Sequence, residues 1–118
     1  MIESEAVEAV VGQYEKFGWR LRRVLLTPEN RNVLPELIKT RFSNVSVEQH
    51  EIDALWFSRA NRNAETWELR RLTGPPFALV QVIDPNTDPS ERDDILRSIE
   101  NRMVETPEKS LGEIPLEK

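Results

Sequence analysis

The stretch from residue 52 to residue 72 constrains this chain more than any other. Two runs that favour strand, 52–59 and 65–72, flank Ala60-Asn61-Arg62-Asn63-Ala64. Asparagine accepts the left-handed backbone that tight hairpin turns require. A two-residue turn centred in that stretch pairs even positions of one strand with odd positions of the other. Trp56 then shares a face with Trp67 and Leu69, while Leu55 and Phe57 lie opposite, beside Arg70 and Glu68. A hairpin with large side chains on both faces needs further elements to pack against. The face bearing Trp56, Trp67 and Leu69 is either the core face or a surface left partly open as a partner or ligand site.

Those further elements are legible around it. Val7, Val10, Val11, Tyr14 and Phe17 recur at steps of three and four, which makes one apolar stripe on a helix over residues 4–17. Gly18 is a natural stop. Residues 19–26 read as a strand whose alternation breaks, since Trp19 and Leu21 share one parity and Val24 and Leu26 the other. One extra residue at Arg22-Arg23 restores a single apolar face, so a β-bulge is expected there. Thr27-Pro28-Glu29 then ends the strand with a turn or helix-start signal.

A second helix is expected over residues 32–42, with Leu34, Leu37, Ile38 and Phe42 inward. Pro35 is tolerable only in its first turn. After Gly74-Pro75-Pro76, the nearly continuous apolar run 77–83 suits a central strand covered on both faces. Asp88-Pro89-Ser90-Glu91 opens the last helix, with Asp88 as cap, Pro89 in the first position and Glu91 placed for a capping box. Ile95, Leu96, Ile99 and Met103 form its inner face. The expected order is α-β-α-β-β-β-α. It predicts an α+β domain with a mainly antiparallel four-stranded sheet and its helices on one face.

Its 118 residues fit one domain over 1–105, followed by a polar tail, 106–118, expected to be loosely held. At 38% hydrophobic and 31% charged the chain is polar, yet three Trp and four Phe suffice for a core. The absence of cysteine rules out a disulfide framework, a thiolate nucleophile and a cysteine-ligated zinc. The acidic start has no basic, apolar leader, and no run approaches the ~20 apolar residues of a membrane span. These features set the expectation of a cytoplasmic protein. A net charge of −5 argues against a general nucleic-acid binder.

Three constellations bear on function. His50, the one histidine, is a candidate general base with Glu51 or Asp53 to orient it, but no nucleophile or oxyanion motif accompanies it. Asp84-Pro85-Asn86-Thr87-Asp88 looks like the start of a calcium loop. Pro89 stands where the glycine should be and Ile95 where the bidentate glutamate should be, so a helix cap explains it better. No metal or cofactor is expected.

Arg20, Arg22 and Arg23, together with Arg70 and the rings of Trp56 and Trp67, form the third constellation. It points to a non-catalytic interaction module that meets a protein partner or a second copy through a sheet face or edge carrying Trp and Arg. The alternative is a small enzyme or ligand-binding protein with an arginine-lined cleft for a small anion.

Overall fold

The structure is a computed structural model and describes residues 3–33, 45–74 and 77–106. In chain order it contains α1 (Ser4–Lys16), β1 (Arg20–Leu26), α2 (Pro28–Val33), β2 (Ser46–Gln49), β3 (Ala54–Ala60), β4 (Glu65–Arg71), β5 (Ala78–Ile83) and α3 (Pro89–Val104). The strands form one five-stranded sheet in the order β2-β1-β3-β4-β5. β2 runs parallel to β1, and the β1·β3, β3·β4 and β4·β5 pairs are antiparallel. Among the described residues no helix is long and apolar enough to cross a membrane.

The hairpin has the expected register, with Trp56 opposite Leu69, Phe57 opposite Glu68 and Leu55 opposite Arg70. Its turn is closed differently from expectation. No described non-glycine residue has a positive φ. Asn61 acts instead through its side chain, whose Oδ1 accepts from the N–H groups of Asn63 at 3.2 Å and Ala64 at 2.9 Å. This is the asparagine side chain standing in for a backbone turn. The bulge in β1 falls where parity demanded it. Leu21 pairs with Phe57 and Arg23 with Trp56, which leaves Arg22 as the extra residue.

Burial explains why the sheet has helices on both faces, against the expectation of one. β3 turns Leu55 and Phe57 one way and Ala54 and Trp56 the other, and all four are fully buried. On one side α1 inserts Val7 and Val11 against Leu21, Val24, Leu26, Leu55 and Phe57. On the other, α3 inserts Leu96, Ile99 and Met103 against Leu25, Trp56, Trp67 and Leu69. An inner strand that is apolar on both faces requires two covers. The sheet is mainly antiparallel, as expected, but it has five strands and not four and is mixed, because the parallel strand β2 was not anticipated. It has only four residues, and its signal, Val47 between Ser46 and Glu48, is minimal.

The helix ends follow local chemistry. α1 stops in a Schellman motif, with Gly18 at φ 88°, its N–H on Glu15 C=O and the Trp19 N–H on Tyr14 C=O. The Tyr14 and Trp19 rings meet edge-on at 6.0 Å, the apolar contact that accompanies this motif. At α3, Asp88 accepts from the Ser90 N–H at 3.1 Å and Pro89 occupies the first position. After β1 the helix-start signal at Thr27-Pro28-Glu29 is met by α2, which begins at Pro28, while the helix expected over residues 32–42 falls almost wholly outside the described residues. The inner stripe assigned to Leu34, Leu37, Ile38 and Phe42 lies outside the described residues, as does the tail beyond Thr106.

Candidate functional site

The bulge gathers arginines. An extra residue between Leu21 and Arg23 turns Arg22 and Arg23 to the same side, that of Trp56 and Trp67, where Arg20, paired with Ser58, also lies. The Arg22 guanidinium stacks 4.5 Å from the centre of the Trp67 ring, and Arg92 of α3 lies 5.5 Å from it. Arg22 donates to Ser58 Oγ at 2.8 Å and approaches Glu65 at 3.9 Å. Burial lowers the pKa of Arg22, Glu65 draws it back up, and Arg20, Arg92 and Arg23 push it further down. Arg23 donates to Asp93 at 2.6 Å, and that hydrogen bond holds the carboxyl below its ordinary pKa.

Arg22, Arg23 and Arg92 are engaged by the fold itself, while Arg20 is exposed. Trp56 and Trp67 are core residues at 0% and 1% exposure, crossed edge-on at 6.0 Å. They therefore offer no open aromatic face. The indole N–H of Trp56 is bonded to Glu100 and that of Trp67 to Glu65. Arg70, grouped with them from sequence, stands across the sheet, because it pairs with Leu55 on the α1 side. The six sequence candidates thus divide into a buried tryptophan pair, an arginine group above it and one arginine on the other face.

His50 belongs to a different arrangement from the one its neighbours suggested. Its Nε2 lies 3.1 Å from Oε1 of Glu100, and its Nδ1 accepts from the Glu51 N–H at 2.9 Å. A nitrogen that accepts a backbone N–H carries no proton, so Nε2 holds it and donates to the carboxylate. Both nitrogens are then occupied by the protein, which leaves no lone pair for a substrate. Asp53 is engaged elsewhere, accepting from Thr27 N–H at 2.8 Å and from Asn30 Nδ2 at 2.9 Å at the start of α2. His50 borders a cleft of about 790 Å³ shared with Thr27, Glu48, Arg97, Glu100 and Asn101. Within the cleft, His50 and Glu100 latch the β2–β3 connection onto α3.

The surface that sequence reasoning missed is the β5 edge. The run 77–83 has the composition of a central strand, yet β5 ends the sheet. Val80 and Val82 are 56% and 57% exposed. They face the α1 side, since Val80 pairs with Glu68 and Val82 with Thr66. A helix is about 10 Å wide and strands are about 4.8 Å apart, so one helix covers roughly two strands. α1 lies over β1 and β3 and reaches β4 only through Tyr14 and Glu68, so among the described residues Val80 and Val82 of β5 stay uncovered. The signal was present in the sequence, but nothing local distinguishes a doubly covered strand from an uncovered one.

Compared with protein-family models, with curated proteins and with solved structures, the chain gives no match in any of the three.

Proposed function

We propose that this chain is a non-catalytic protein-interaction module that receives a partner strand along β5. The observation that carries this reading is an uncharged strand, Ala-Leu-Val-Gln-Val-Ile, at the end of a sheet with two valines in solvent. Edge strands are ordinarily blunted by charge, proline, a bulge or brevity. β2, at the other end, is short and carries Glu48. β5 has none of these protections, and strand addition is the mode such an edge supports. The occupied nitrogens of His50 favour a non-catalytic role. A cytoplasmic setting, expected from the cysteine-free composition, is part of the same proposal.

The test is an array of extended peptides probed with the wild-type chain and with a Val80→Lys/Val82→Lys variant. The reading expects peptides that bind the first and not the second. An array on which the two chains behave alike removes its basis. Binding of a small anion at Arg20, Arg22 and Arg23 is the second reading. It draws on the crowding of these groups with Arg92. A thermal shift with inorganic phosphate, lost in Arg22→Ala, would support it.

A further inference from the structure

The main-chain groups along the open edge of β5 have a definite phase. The Arg71 N–H donates to the Phe77 C=O at 2.9 Å, so Phe77, Leu79, Gln81 and Ile83 direct their main-chain groups toward β4. Ala78, Val80 and Val82 direct theirs away from the sheet. The Val82 C=O takes a donor from the side-chain amide of Gln81 at 3.0 Å, which stands in for a strand. Among the described residues no strand lies beyond β5.

We infer that the occupant of this edge is a second copy of the chain, paired β5 to β5 in antiparallel fashion about a two-fold axis at Val80; this rests on the strand-addition reading above. Three outward residues in a row, centred on Val80, are self-complementary under such an axis. Ala78 meets the partner's Val82, Val80 meets the partner's Val80, and every outward N–H and C=O finds its counterpart. Val80 and Val82 of the two copies join into one apolar strip on the α1 side, as β-branched cross-strand neighbours.

Charge favours a copy over a charged peptide. No residue of β5 is ionisable, so the two-fold brings no like charges together and offers a charged partner no counter-ion. Glu68, the carboxylate paired with Val80 on that face, sits one strand further in. Across the axis the two copies of Glu68 are three strand spacings apart, about 14 Å, beyond the Debye length at physiological salt. The chain's own C-terminal tail starts beside the end of β4, where Arg71 donates to the Thr106 carbonyl at 2.8 Å. With Pro107, Gly112 and Pro115 it makes a poorer ladder than a second β5.

Sedimentation equilibrium and a disulfide trap test the inference. The wild-type chain is expected to sediment as a dimer, and Val80→Lys or Val82→Lys to halve that mass with an unchanged circular dichroism spectrum. Because the chain has no cysteine, Val80→Cys reports on the axis alone. A hydrogen-bonded antiparallel pair places Cα atoms about 5.5 Å apart, within disulfide range. Oxidation should therefore yield a covalent dimer from Val80→Cys and not from Ser98→Cys on α3. A monomer at every concentration, with no crosslink beyond the Ser98→Cys control, overturns the second copy. If the peptide array still separates wild type from the lysine variant, strand addition stands with another partner. If it does not, both fall.

Discussion

His50 and Glu100, fifty positions apart in the chain, meet at 3.1 Å between Nε2 and Oε1, and the other oxygen of the same carboxylate takes the Trp56 indole N–H at 2.8 Å. One buried carboxylate therefore ties the β2–β3 connection and the centre of the sheet to α3. Glu100→Ala leaves the indole N–H without a partner in the core. A buried unsatisfied donor costs about 1–3 kcal/mol, and urea unfolding should show a loss of that order. A double-mutant cycle with Trp56→Phe should recover part of it, because the orphaned donor is then gone. Additive losses would mean that the two groups act separately.

Gly18 holds φ 88°, and a Cβ there meets Arg59 Cδ at an unremarkable 3.6 Å. Backbone, not crowding, sets the cost of substitution. Gly18→Ala should destabilise by about 1–2 kcal/mol, measured as a lowered urea midpoint with unchanged slope. An unchanged midpoint would show that the α1 end relaxes into another cap.

Tyr14 donates to Glu68 and stacks on Phe57 with ring centres 4.0 Å apart. Burial, then the Glu68 hydrogen bond and charge, raises the phenol well above its ordinary value. A raised folded-state pKa means that the folded state keeps the proton longer. The stability this provides is complete below the unfolded value of about 10 and is lost as pH rises beyond it. Tyr14→Phe should flatten the alkaline limb of the stability curve, followed by denaturant unfolding at several pH values. Parallel limbs in the two proteins would contradict the assignment.

The Arg23–Asp93 pair acts at the other end of the scale. Its Asp93 carboxyl is lowered, mainly by the hydrogen bond from Arg23. A depressed folded value gives stability that is present above the unfolded pKa of about 3.9 and disappears as pH falls through the folded one. Asp93 is 41% exposed, so screening keeps the contribution below about 1 kcal/mol. Wild type and Asp93→Asn should differ at neutral pH and converge in acid, with the gap narrowing in high salt. A gap that persists in acid would assign the effect to packing.

What could be read from sequence was what parity and short spacing determine. The hairpin register followed from the turn position, and the bulge at Arg22 from Trp19 and Leu21 being out of phase with Val24 and Leu26. The same parity already placed Arg70 on the Leu55 side, so grouping it with Trp56 and Trp67 set aside a constraint that was available. What escaped depends on distant partners. His50 gave no sign that its carboxylate lay on a helix fifty positions later. β2 finds its parallel neighbour only after the chain has left the sheet and returned. Composition showed that β5 was apolar, but not that it would stand at the edge.

The bulge in β1 has a consequence for changes in chain length. β1 lies between β2 and β3, where removing a residue ordinarily turns half a strand inside out. At Arg22 the reverse holds. Excising it would place Leu21, Val24 and Leu26 in unbroken alternation on the face they already occupy, with every other pairing retained. An inner strand of this sheet thus contains one position at which the chain can be shortened without being re-registered, and the loss falls on the guanidinium above Trp67 and not on either core.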